Sequence, residues 1–84
     1  MSFSVAAAGT KEQALSSLAK ANVNDNVVGV AAIAFATDLL KNDNSQSTDT
    51  QDIRYSVNVS GHSGEKSLTS LNISFSAQLY PKPE

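Results

Sequence analysis

Cysteine and tryptophan are missing from this 84-residue chain, and histidine occurs once, at His62. Without cysteine there is no disulfide staple and no thiolate metal site, and one histidine cannot build a His-based metal cluster. Charge is scarce as well: 17% of residues are charged, for a formal net charge of −2 and a pI near 5.2. The six cations, Lys11, Lys20, Lys41, Arg54, Lys66 and Lys82, stand singly along the chain. Nucleic-acid binders cluster such residues on one face, so this scatter argues against a nucleic-acid partner. The longest apolar run, residues 27–40 (VVGVAAIAFATDLL), contains Asp38 and falls short of the roughly 20 residues that span a bilayer. A buried helix is the better reading, and a membrane role is not expected. The first residues, MSFSVAAAG, carry no basic stretch and too short an apolar run for a secretory signal. Synthesis and folding in a cytoplasm are expected.

What the chain does have is alternation. Ile53, Tyr55, Val57 and Val59 interleave with Arg54, Ser56, Asn58 and Ser60; Leu71, Ile73, Phe75, Ala77 and Leu79 interleave with Ser70, Asn72, Ser74, Ser76 and Gln78. A period of two is the pattern of half-buried strands, and two such runs joined by a Gly-containing turn read as an antiparallel hairpin. The turn is expected over Gly61–Ser67.

Upstream, Phe3, Val5 and Ala7 give a first strand over residues 2–8, broken by Gly9. Thr10 followed by Gln13 is a capping-box signature, and Ala14, Leu15, Leu18 and Ala19 form a helical stripe. A connector rich in Asn follows, with Asn24 or Asp25 expected to cap a second helix from about Val27 to Lys41. That helix is apolar almost all round, so it needs cover on more than one side. Residues 42–51 (NDNSQSTDTQ) contain no apolar side chain and read as a polar loop. Residues 80–84 read as an extended tail, because Pro81 and Pro83 disfavour a ladder.

The expected fold is therefore one α+β domain over residues 1–84, in the order β-α-α-β-β. A right-handed crossover would join the first two strands, giving a three-stranded mixed sheet with a C-terminal antiparallel hairpin and helices packed on one face. The other face would present short neutral side chains. A chain of this length buries only about 60–65% of its unfolded surface, so association with further copies or a larger assembly is expected.

Motifs that could carry chemistry dissolve on inspection. Ser17-Leu18-Ala19-Lys20 fits the S-x-x-K pattern of penicillin-recognising enzymes but lacks every companion motif. His62 with Ser60 or Ser63 would sit on a hairpin tip, where nothing excludes water. Gly61 and Gly64 precede a strand, whereas a phosphate loop opens a helix. Asp43, Asp49 and Asp52 fail the spacing of a calcium loop. Asn58-Val59-Ser60 and Asn72-Ile73-Ser74 are glycosylation sequons without a secretory signal. Tyr55, Phe75 and Tyr80 have no interleaved basic residues, so they read as core or rim aromatics rather than a base-stacking platform. No catalytic residue, metal, cofactor or small-molecule substrate is expected.

Ser2-Phe3-Ser4-Val5, the helical middle, Val59-Ser60-Gly61-His62 and Leu71-Asn72-Ile73-Ser74-Phe75-Ser76 resemble, in layout, the small β-α-β-β accessory proteins encoded by phages of actinobacteria. The resemblance implies a viral setting. The protein would be a virion accessory, such as a capsid decoration or minor capsid protein, or a small protein that binds a host target. It would be made in the host cytoplasm and, in the first case, carried on the virion. The longer, more apolar helix here departs from that pattern and favours assembly. The expectation is a non-enzymatic binding protein, homo-oligomeric, with a phage structural or host protein as partner. The residues proposed for its interface are Arg54, Ser56, Asn58, His62, Asn72, Ser74 and Tyr80.

Overall fold

The computed structural model describes residues 1–23, 26–64 and 68–83. The first strand, β1 (Ser2–Gly9), ends where Gly9 takes a φ of +111°. Side chains rarely tolerate that conformation, and a Cβ there would collide with Gln13. The kink frees Thr10 to cap α1 (Lys11–Ala19). Thr10 Oγ1 accepts from the Gln13 N–H at 3.2 Å, and Gln13 Oε1 accepts from the Thr10 N–H at 2.9 Å. Two donors that the helix leaves unpaired are thereby satisfied.

Helix α2 (Val27–Asn42) starts at Asn26, whose Oδ1 accepts from the Gly29 N–H at 3.1 Å. The cap is thus Asn26; Asn24 and Asp25, expected in that role, lie outside the described residues. Helix and not strand forms over Val27–Val30 because the cap fixes the first turn and Gly29, Ala32, Ala36 and Leu40 then fall on one buried stripe. Three of those four residues are small, so the helix axis can approach the sheet closely.

Strands β2 (Gln51–Ser63) and β3 (Leu68–Pro81) complete a sheet of order β1-β2-β3, antiparallel at both junctions. The expected mixed sheet is therefore corrected to a wholly antiparallel one. The reason is the number of helical passes. Gly9 ends β1 beside Tyr55, and α1 runs back toward the strand's start; Asn26 Nδ2 then donates to Ser63 Oγ at 3.2 Å, close to where Ser63 exchanges backbone bonds with Met1. Helix α2 returns the chain to the end of β1, where Lys11 Nζ donates to the Asp43 carbonyl at 2.9 Å. Two opposed helices cancel the displacement, so β2 starts where β1 stops and runs against it. The crossover rule for parallel strands has nothing to act on.

Two further expectations change. Gly61–Ser63 belong to β2 and not to the turn, because Phe3, Ser2 and Met1 pair with them on one side and β3 on the other; a register shift falls at His62/Ser63. Glu65–Ser67 lie outside the described residues. The tail expected at 80–84 is paired through Pro81, and the Lys82 N–H continues the ladder to the Thr50 carbonyl at 2.9 Å. Successive N–H groups of a strand point to opposite sides, so the donor that Pro81 lacks would have faced the open edge. An edge strand accepts proline there.

The helices cover one face of the sheet. Phe3, Ala7, Tyr55, Val57 and Val59 are buried beneath Ala14, Leu18, Ala32, Ala36 and Leu40. Leu18 and Leu40 are wholly enclosed, each contributing roughly 2 kcal/mol by removal from water. Gly61 lies under the Phe3 ring, where a Cβ would come within 2.7 Å of both that ring and the Ser70 carbonyl oxygen.

The hairpin is longer than the eight-residue β1, and the molecule measures 51 × 18 × 17 Å. Past the end of β1, the polar segment after α2 takes its place along β2. Ser47 Oγ accepts from the Ile53 N–H at 3.1 Å, the Thr48 N–H donates to the Gln51 carbonyl at 2.8 Å, and Thr48 Oγ1 accepts from the Gln51 N–H at 3.0 Å. Short hydroxyl side chains thus pair backbone groups that would otherwise lack a neighbouring strand.

Candidate functional site

Even-numbered residues of the strands point away from the helices. This brings Arg54, Ser56, Asn58, His62, Asn72, Ser74 and Tyr80 onto one exposed face. The register sets Ser56 opposite Ser76, Asn58 between Ala6 and Ser74, and Asn72 opposite Ser60. His62 lies between Ser2 and Ser70, with its Nδ1 2.8 Å from Ser2 Oγ. At the other end the Arg54 guanidinium stands 5.9 Å from the centre of the Tyr80 ring, and the Tyr80 hydroxyl donates to Gln78 Oε1 at 2.9 Å. Lys82 and Asp52 approach to 4.0 Å in the open, a contact that contributes little in water. All seven candidates share a surface, but it is a broad field of short neutral groups rather than a point of convergence.

The serine, histidine and aspartate candidates do not assemble into a catalytic group. The Ser63 hydroxyl accepts from Asn26 Nδ2, while His62 pairs with Ser2. The loop carboxylates separate: Asp43 turns inward to Tyr55, and Asp52 outward to Lys82. Among the described residues no group of three or more His, Asp and Glu side chains could hold a metal ion. Among the same residues no helix is long and apolar enough to cross a membrane.

A polar contact at the end of α2 ties three elements. Tyr55 is 2% exposed, and its hydroxyl donates to Asp43 Oδ2 at 2.8 Å. Burial, and then the bond to Asp43, push the Tyr55 hydroxyl up to about 12. The same bond, opposed by partial burial and aided by Ser45, holds the Asp43 carboxyl below its ordinary range. Lys11 reaches over the Tyr55 ring at 5.9 Å to the Asp43 carbonyl. A phenol held protonated against an ionised carboxylate is a clasp: it fixes the end of α2 to the starts of α1 and β2. An open hollow of about 420 Å³, floored by Tyr55 and walled by Thr10, Lys11 and Ser47, lies above it.

A second surface was not legible as a site in the sequence. The helix layer covers β1 and β2 but leaves β3 half open. Ile73, Phe75 and Ala77 are partly buried, whereas Leu71 and Leu79 are 43% and 44% exposed. Phe35 (58% exposed) and Leu39, with Asp38, Asn42 and Asp43, line a groove of about 440 Å³ between α2 and β3, where Phe75 is the strand's contribution. Val27 and Val30, nearer the start of α2, are exposed as well but do not line this groove. The signal that could have found it was the helix whose apolar residues run all round, because two helices lying over three strands leave one strand short of cover.

Comparisons with protein-family models, with curated proteins and with solved structures find no match to this chain.

Proposed function

We propose that this chain is a non-enzymatic structural protein that acts by binding, first to copies of itself and then to a larger protein assembly. The observation that carries the reading is the uncovered flank: a long uncharged edge strand, apolar on its helix side, bordered by the exposed Phe35 and Leu39. Exposed apolar surface of this extent beside an open ladder marks a protein contact. The neutral sheet face, with Arg54, Ser56, Asn58, His62, Asn72, Ser74 and Tyr80, is a second surface, suited to a partner that matches shape and hydrogen bonds more than charge. The resemblance read from the sequence to small accessory proteins of actinobacterial phages favours a virion as the larger assembly, where this chain would decorate the capsid or serve as a minor component.

The test has two arms. Sedimentation of the purified protein at micromolar concentration should give an oligomer, and mass spectrometry of purified particles from infected cells should detect the chain. A monomer that never accompanies particles, and that instead captures one host protein from infected cells, overturns this reading in favour of a host-directed binder.

A further inference from the structure

We infer that the open edge of β3 is the self-association surface, and that two copies join there about a two-fold axis through Phe75 to form one continuous six-stranded antiparallel sheet. The inference rests on the self-binding reading and names the surface that performs it.

Three observations converge on a second copy as the occupant. The first is which backbone groups are unused. The Lys82 N–H donates to Thr50, so even-numbered residues of β3 turn their backbone groups toward β2. The N–H and C=O groups of Leu71, Ile73, Phe75, Ala77 and Leu79 therefore face the open edge. These are also the residues whose side chains lie on the helix side. An antiparallel partner pairing odd residues with odd residues would use every one of these groups, about ten inter-chain bonds in all, and keep the apolar faces of both copies together.

The second observation is the order of side chains. Read outward from Phe75, the strand is a near-palindrome: Ser74 and Ser76, Ile73 and Ala77, Asn72 and Gln78, Leu71 and Leu79. A two-fold axis at Phe75 sets serine opposite serine, amide opposite amide and leucine opposite leucine. An isologous contact requires only that residue i meet residue j and j meet i; this register does so while also matching polar with polar and apolar with apolar side chains. Residues 68–81 contain no charge, so the paired strands themselves bring no like charges together; on α2, Asp38 lines the groove with Phe35 and Leu39. Such an edge lacks the usual guards against pairing, apart from Pro81 at its end.

The third is area. Leu71, Leu79, Phe35 and Leu39 are between 39% and 58% exposed, and pairing would remove them from water together with the half-buried Ile73 and Phe75 and the edge backbone, a contact at the small end of stable interfaces. Helix α2 packs over β2 and β3. Strands lie about 4.8 Å apart, so the two α2 helices would stand about 10–15 Å apart across the axis. That spacing is enough for Phe35 and Leu39 of both copies to fill the space between them.

The experiment is sedimentation equilibrium from 1 to 100 µM on the full chain, with circular dichroism and thermal melting to confirm that each variant folds. The wild-type protein should be a dimer. Leu71→Lys and Leu79→Lys should each weaken it by about 30-fold or more, since either places an unpaired charge against leucine. The double variant Leu71→Lys/Leu79→Glu should recover most of the loss, because residue 71 of one copy meets residue 79 of the other. Ala77→Pro, which removes an outward N–H and no donor to β2, should give a folded monomer. A dimer indifferent to all of these in folded variants overturns the edge assignment while leaving self-association intact. A wild-type monomer throughout the range overturns both.

Discussion

The Tyr55 hydroxyl donates to Asp43 Oδ2 at 2.8 Å from a position closed to solvent. The Tyr55→Phe variant keeps the ring, and its tilted packing against Phe75 at 5.9 Å, but strips the carboxylate of its best donor. A charge-assisted bond of this kind contributes about 1.5–3 kcal/mol. Urea denaturation at pH 7 should show Tyr55→Phe destabilised by about 1–2 kcal/mol.

The same pair sets opposite pH limits. The folded protein holds the Tyr55 proton to about 12, whereas an unfolded tyrosine releases it near 10. Stability is therefore complete below about pH 10 and falls as pH rises toward 12. The Asp43 carboxyl, lowered from its ordinary 3.8, works in the other direction. Its contribution is complete above the carboxylate range and is lost as pH falls through it. Melting temperatures across pH 2–12 should show both declines. Tyr55→Phe should flatten the alkaline one and Asp43→Asn the acid one; unchanged slopes in both variants would show the clasp to be energetically idle.

Gly61→Ala should be among the most costly single-methyl additions in the chain. The new Cβ meets the Phe3 ring and, more seriously, the Ser70 carbonyl at 2.7 Å, which belongs to a paired strand and cannot yield. Overpacking of this kind costs about 1–3 kcal/mol. Pairing the change with Phe3→Leu should recover only part, since the carbonyl collision remains; denaturant midpoints of the two variants decide it.

Asn26 does two things at once, capping α2 through Oδ1 and reaching Ser63 through Nδ2. Asn26→Ala should lose about 1–2 kcal/mol. Asn26→Ser should keep much of the cap and lose only the Ser63 contact, giving an intermediate stability. Equal stabilities for the two variants would place the whole effect in the link to β2.

The order of elements, the capping box at Thr10 and Gln13 and the strand alternation were all legible because each is a local signal; which stripe of the apolar α2 is buried was not. Nor was the direction in which β1 and β2 pair. The parallel crossover expected between β1 and β2 treats the helices as a single excursion, and only the position of Asn26 beside Ser63 shows that they form two opposed passes. The polar segment before β2 reads as plain loop because its task, pairing Gln51 and Ile53 through Thr48 and Ser47, uses side chains that also mark disorder. The candidate face from Arg54 to Tyr80 followed from parity alone. The apolar flank at Phe35 and Leu39 did not, because a sequence shows that a helix is apolar all round without showing which side its neighbours fail to reach.

The spatial middle strand is fourth of five elements along the chain, and this has a kinetic consequence. Tyr55 must wait for Gly9 across both helices, whereas Val57 meets Phe75 through a short reversal. Nearby partners meet sooner than distant ones. During refolding the C-terminal ribbon should form early and the N-terminal strand should dock last. In that interval the ribbon offers two bare rims instead of one, and a crowded refolding mixture would join them indiscriminately.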